Sequence, residues 1–308
     1  RLKRCSQGTR LARHRYLENK MKHTNIYNLP QIVVNALTHD EYSAGGADYS
    51  MTTLLKAPQQ VILKNENEGA LVQDVSDLFF SRMGTWTHEG LEKANRDNDD
   101  IICEQRHTIT IDGVTISGAT DVYDRVKHEV VDYKTTSYYA VKDALAYGKV
   151  KLDWEQQTNG YAYMWRRNGY AVRGIKVIAI LRDWSRAMSF RNKDYPKTPI
   201  VSLEIPLWSE KEQHDFIFDR VRVHEQARKE YLITGETPEC TDEERWKIPD
   251  KWALMTEGKK RALKLYNTES EAFQNIGDNE YVEFREGKAN KCENYCPANQ
   301  FCSQFLGK

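Results

Sequence analysis

Apolar and polar positions recur along this chain in two rhythms, one near 3.6 and one of 2, and the order in which they alternate sketches the architecture. In residues 49–63 (YSMTTLLKAPQQVIL) Ser and Thr caps precede apolar spacing suited to a short helix. Residues 72–94 read as one or two helices, on which Gly84, His88 and Glu92 fall four apart and share a face. Period-2 runs follow at 107–111, 114–117, 120–123 and 129–134, with an Asp112-Gly113 turn between the first two, which predicts an antiparallel meander. Helical spacing returns at 154–167, an apolar β-branched strand at 175–181, an alternating edge strand at 201–207 and a long amphipathic helix at 209–233. Helix following strand completes an α/β core. Beyond Thr237 the pattern changes to a hairpin (252–266) around Glu257-Gly258, a short helix (269–276) and a strand (281–285), a small ββαβ insert between Cys240 and Cys292.

Size and charge narrow the class. A chain of 308 residues, 40% hydrophobic, buries one sizeable core and a smaller second one. The expected division is a core at 21–236 and a cysteine-bearing subdomain at 237–308. No stretch reaches the roughly 18 to 20 consecutive apolar residues of a membrane span, and no secretory leader precedes the core, so the expected location is cytoplasmic. Lys plus Arg (45) equals Asp plus Glu (45), so affinity for nucleic acid must come from local patches. Residues 1–20 carry seven Lys/Arg against Glu18 and precede Met21, and read as a basic arm or as a remnant ahead of the natural start.

The chemistry gathers at 118–134. Gly118-Ala-Thr-Asp121 ends one strand, and Asp132-Tyr133-Lys134 lies on the next. Residues i and i+2 of a strand point to one face, so Asp132 and Lys134 emerge together, and neighbouring strands bring Asp121 beside Asp132. Hydrolysis of a phosphodiester needs oxygen ligands for Mg²⁺ or Mn²⁺ and a group to orient water or stabilise the developing charge. The two carboxylates and the Tyr133 carbonyl supply ligands and Lys134 the cation. Taken alone, the D-x-K pattern favours a solvated same-face ion pair, because short polar patterns recur by chance.

The ordered set decides between these. Gly84-Thr-Trp-Thr-His88-Glu-Gly-Leu-Glu92, then Gly118-Ala-Thr-Asp121, Asp132-Tyr-Lys134-Thr-Thr and Gln157-Thr-Asn-Gly-Tyr161 resemble the RecB-type branch of the PD-(D/E)XK nucleases, which includes phage exonucleases and CRISPR-associated nucleases. The resemblance implies a restriction-endonuclease-like α/β core, a mixed central sheet flanked by helices. It implies metal binding at His88, Asp121 and Asp132, catalysis at Lys134, and Gln157 and Tyr161 holding the lysine and the DNA strand. Glu104 sits where some of these nucleases place an additional acid. The activity implied is metal-dependent DNA exonuclease action in phage or prophage recombination, repair or degradation, with DNA and a phage single-strand-binding or recombination protein as partners. The competing readings are a catalytically inactive nucleic-acid-binding module, a structure-specific endonuclease on the same fold, and an interaction protein built on its cysteines.

Cys292, Cys296 and Cys302 crowd the end of the chain, and Cys240 is the natural fourth member of a Cys₄ set that holds either an iron–sulfur cluster or Zn²⁺. The resemblance favours a [4Fe–4S] cluster with one upstream and three downstream cysteines. Many relatives place the upstream one before a proline in the first helix, where this chain has Ala57-Pro58. Cys103, in an apolar run, reads as a buried hydrophobe. Finally, nine Lys/Arg with interleaved Tyr170, Trp184, Phe190 and Tyr195 span 166–197, which makes Arg166, Arg167, Arg182 and Arg186 candidates for tracking a DNA strand.

Overall fold

The structure is a computed structural model and describes residues 21–39 and 45–307. The basic segment 1–20 and Cys5 lie outside the described residues. The chain divides into two compact units, one of Lys22–Lys56 with Val72–Ile233, the other of Ala57–Leu71 with the segment from Thr234 onward.

In chain order the strands of the larger unit are β1 (Lys22–Thr24), β2 (Tyr49–Ser50), β3 (Val72–Asp74), β4 (Ile101–Ile111), β5 (Val114–Asp124), β6 (Glu129–Thr136), β7 (Gly174–Leu181) and β8 (Ile200–Ile205). Asp112 (φ 51°) and Gly113 (φ 77°) are both left-handed, the conformation a two-residue hairpin needs to match strand twist, and they fold β4 back on β5. β6 returns antiparallel to β5, as the period-2 pattern predicts. β7 then joins β6 in parallel, with helices Tyr138–Tyr147 and Leu152–Arg167 making the crossover, and β8 closes the sheet antiparallel as its edge. The result is a mixed sheet in the order β2-β5-β6-β7-β8, with β4 also on β5.

Helix Leu152–Arg167 forms the centre of the core. Trp154, Tyr161, Ala162, Met164 and Trp165 pack with Ile116, Val130 and Val177 of the strands. Gly118 permits the approach, since a Cβ there would stand 2.7 Å from Met164 Sδ and 2.9 Å from Tyr161 Cε1. Several elements differ from the pattern reading. Residues 72–74 are strand, because Val72, Gln73 and Asp74 pair in parallel with β1, and helix Phe79–Asn95 starts only after a 3₁₀ turn. The helix expected over 49–63 is two, Met51–Leu54 and Pro58–Glu66, since the residue before a proline is held extended, here Ala57 at ψ 135°. Helices Tyr138–Tyr147 and Arg186–Arg191 carry too short a periodicity to announce themselves.

The smaller unit contains the expected ββαβ insert as strands β9 (Lys251–Thr256), β10 (Lys264–Tyr266) and β11 (Glu280–Arg285) with helix Glu269–Gln274. The sheet order is β10-β9-β11, antiparallel throughout, over a core of Leu254, Tyr266 and Ala272. Unlike the division read from the sequence, this unit also takes helix Pro58–Glu66. Gln59, only 2% exposed, donates to Thr237 Oγ1 and so ties the helix to the tail.

Candidate functional site

Strand β5 and helix Phe79–Asn95 bring Asp121 and His88 together, with Asp121 Oδ1 3.3 Å from His88 Nδ1. The β5–β6 register pairs Val122 with Val131, so Asp121 and Asp132 are the next opposed residues, just past the end of the ladder. There Asp121 Oδ2 accepts the Tyr133 backbone N–H at 2.5 Å. Glu104 completes the group from β4. One ligand atom each from His88, Glu104 and Asp121 lies within 4.8 Å of the others. Glu104 reaches this point through a left-handed backbone (φ 49°), where the β4–β5 ladder lapses between Cys103 and Gln105. Its carboxyl is pushed up to about 7, first by desolvation and then by Asp121 and Glu92. His88 is also raised: burial opposes its charge, but the hydrogen bond to Asp121 and the fields of Asp121, Asp132 and Glu104 outweigh it. One imidazole and two converging carboxylates, one already resisting ionisation, are what a divalent cation would relieve.

Asp132 and Lys134 face the other way from Tyr133. The Tyr133 ring meets His88 at 5.8 Å, while Lys134 meets helix Leu152–Arg167, so the two helices reach β6 from its two faces. Asp132 is 2% exposed, and its Oδ2 lies 2.8 Å from Lys134 Nζ without a well-directed hydrogen bond. Burial pushes its carboxyl up against the pull of Lys134. The ammonium also donates to Gln157 Oε1 at 2.8 Å, and Gln157 Nε2 donates to Tyr161 OH at 2.9 Å. Burial works against the lysine's charge, yet Asp132 and Asp121 keep its pKa raised. Lys134 is therefore held as a cation by groups from two elements. Glu104 joins His88 and Asp121 in the closest group, Asp132 lies against Lys134, and the Tyr133 N–H meets Asp121.

A family model of the PD-(D/E)XK nuclease superfamily matches residues 39–303. The chain belongs to this superfamily. Similar solved structures include the protein SSO0001 (18% identical, covering 63% of this chain and 85% of that one, TM-score 0.41). A phage-related exonuclease from Haemophilus somnus 129PT is 13% identical over 66% of this chain and 95% of that one, with a TM-score of 0.38. An alkaline exonuclease from Laribacter hongkongensis is 11% identical over 49% and 73%, with a TM-score of 0.29. No curated relative matches. Among the described residues, no helix of this PD-(D/E)XK protein is long and apolar enough to cross a membrane.

The basic stretch separates on inspection. The Arg166 guanidinium donates to Gln213 Oε1 (2.8 Å), Val172 O (3.1 Å) and Trp208 O (3.3 Å), which joins the helix to the chain around β8. Arg167 lines a separate recess with Tyr163, His214 and Phe218. Arg182 and Arg186 are exposed, at and beyond the carboxyl end of β7. Of the four aromatics, Tyr195 is buried, Trp184 donates to Pro196 O and Tyr170 packs edge-on against Trp165, whereas Phe190 projects outward.

Cys240, Cys292, Cys296 and Cys302 line one small recess in the smaller unit, with Gln59, Leu63, Asn299 and Phe305. Cys240 Sγ lies 3.1 Å and Cys302 Sγ 3.6 Å from Gln59 Oε1. The Cys240 thiol is pushed up to about 12, by desolvation first and then by Glu244 and the other cysteines. Helix Pro58–Glu66 thus does reach the cysteines, but it presents an amide. Sequence reasoning missed Gln59, since nothing in a lone glutamine marks it. Cys103 is half-buried beside Glu104.

Proposed function

We propose that this PD-(D/E)XK protein is a Mg²⁺- or Mn²⁺-dependent DNA exonuclease acting in phage or prophage recombination, repair or degradation. The observation that carries the reading is the convergence of His88, Glu104 and Asp121 beside a lysine locked by Asp132 and Gln157. His88, Glu104 and Asp121 hold the cation, with Asp132 adjacent. A divalent ion there supplies Lewis-acid charge at the scissile phosphate and lowers the pKa of water. Lys134 donates hydrogen bonds toward the attacking water and the phosphate oxygen on which charge builds. Gln157, itself oriented by Tyr161, keeps that ammonium aimed. In the net reaction the water oxygen bonds to phosphorus, the P–O bond to the leaving sugar oxygen breaks, and a proton passes to that oxygen. Action from an end rests on the resemblance in motif order to phage exonucleases.

The test is degradation of linear single- and double-stranded DNA with Mg²⁺ or Mn²⁺. The parent degrades DNA, whereas Asp132→Ala and Lys134→Ala lose about 10² to 10³ in rate. Equal rates for parent and variants would remove the assignment, and cleavage of closed circles at the linear rate would replace exonuclease by endonuclease.

We further propose that Cys240, Cys292, Cys296 and Cys302 hold a [4Fe–4S] cluster that locks the tail, Zn²⁺ being the alternative for the same thiols. Their common recess supports a four-thiolate centre. An optical spectrum of anaerobically purified protein, with iron and zinc analysis, decides between them: a colourless, zinc-loaded protein sinks the cluster.

A further inference from the structure

We propose that Phe80, Gly84 and Arg182 form a trough that carries the substrate strand away from the metal site, with Arg182 gripping a backbone phosphate beyond the scissile one. The proposal rests on the nuclease reading of the His88 site. Two paths lead out of that site and meet again. Along helix Phe79–Asn95, Phe80, Gly84 and His88 stand at i, i+4 and i+8, on one side of the helix, spanning about 12 Å. Along β6, one residue separates Lys134 from Thr136, whose carbonyl accepts the Arg182 backbone N–H at 2.9 Å. The two paths close where the Arg182 guanidinium lies 4.2 Å from the centre of the Phe80 ring.

Three features of this meeting point suit a phosphate. Arg182 stands at the carboxyl ends of the parallel pair β6 and β7, where open α/β sheets bind their ligands. The guanidinium rests over the ring, no carboxylate among the described residues pairs with it, and the adjacent Asp183 already accepts the Tyr138 N–H. A guanidinium held beside a ring and without an acidic partner presents the fork that matches phosphate oxygens. Phe80 is itself 56% exposed, so its ring also remains available to an unpaired base.

Gly84 lies between the two ends. A Cβ built there meets nothing within 4 Å, so packing does not demand a glycine, and helix propensity disfavours one. A side chain at this position would stand in the trough. The span from His88 to Phe80 covers about two to four nucleotides at the roughly 3.4 Å axial repeat of a B-form strand.

Binding measured in EDTA separates this inference from the nuclease reading, because no cleavage enters the readout. The probes are end-labelled oligonucleotides of about 20 nucleotides, single-stranded or as blunt duplex, long enough to fill such a groove. Arg182→Ala should weaken binding about tenfold and lower the salt slope by about one, and Arg182→Lys should restore the slope more than the affinity. Phe80→Ala should weaken binding with the slope kept, and Gly84→Leu should weaken it while thermal stability holds or rises. A larger loss on the single strand identifies unpaired DNA as the occupant, and an equal loss identifies the strand backbone common to both. Parental affinity and slope in all of these variants, or no binding by the parent, overturns the trough. If those binding results fail while Lys134→Ala still slows cleavage, the trough falls and the nuclease reading stands.

Discussion

Glu104 holds a backbone conformation that costs a residue with a Cβ about 1 to 3 kcal/mol, and it holds it where β4 loses its pairing with β5. The strain delivers its carboxylate to His88 and Asp121, where desolvation first and then like charge push the carboxyl up to about 7. Its folded pKa thus lies above the unfolded value of about 4.5, so the destabilisation is absent below that value and complete above pH 7. Glu104→Gln should therefore stabilise the metal-free protein at pH 8, by about 1 kcal/mol after allowance for solvent screening of this exposed side chain, and should not do so at pH 4. The same variant should gain less than the parent in melting temperature on addition of Mg²⁺ or Mn²⁺. Thermal melts with and without the ions check both, and a full metal response in the variant would take Glu104 out of the ligand set. The sequence marked this residue as an acid ahead of a hairpin, where the resemblance implies an additional acid. Whether it points to His88 and Asp121 or to solvent depends on one backbone angle that no residue pattern encodes.

The elements matter through the distances they permit. Strand β5 and helix Leu152–Arg167 approach across Gly118, so a methyl group there would collide with Met164 and Tyr161. Tyr161 orients Gln157, and Gln157 orients Lys134. Gly118→Ala should accordingly cost about 1 to 3 kcal/mol by overpacking and should slow cleavage beyond what the lost stability explains, read from denaturant melts alongside rates at saturating DNA. Retained stability and rate would show that Met164 and Tyr161 yield without disturbing the relay. In the smaller unit, helix Pro58–Glu66 places Gln59 against Cys240 and Cys302. Gln59→Glu sets a carboxylate against sulfurs that must be deprotonated to bind metal, so iron or zinc content should fall several-fold while Gln59→Met retains more. Equal metal content in both variants would mean that the amide has no part in the recess. The cysteine spacing is plain in the sequence. The amide among the thiols is not, since its partners lie more than 170 residues away along the chain.

At the scale of the whole molecule, buried polar groups set the response to acid. His224, 2% exposed, is kept neutral by burial and by Arg220, its pKa lowered to about 4, while Arg220 itself binds the Leu54 and Lys56 carbonyls. The unfolded histidine takes a proton near 6.5, so its contribution is complete above that pH and is lost as pH falls through 4, a swing of about 3 kcal/mol at most. Melting temperature should fall over that window, and His224→Gln should flatten the fall; parallel curves for parent and variant would rule His224 out as the acid-sensitive group. The sequence by itself determined the succession of elements, from the Asp112-Gly113 hairpin to the long helix Glu210–Thr234 and the ββαβ insert, because periodicity and turn residues act over a few positions. It also singled out His88, Asp121, Asp132, Lys134, Gln157 and Tyr161 by their order, as the candidates of the proposed site. Only the tertiary structure decided who touches whom. It grouped Glu104 with His88 and Asp121, gave Asp132 to Lys134, took Arg166 for internal hydrogen bonds and laid Arg182 on Phe80. Those choices depend on register, on one left-handed residue and on distances of a few ångströms between elements far apart in the chain, none of which local patterning constrains.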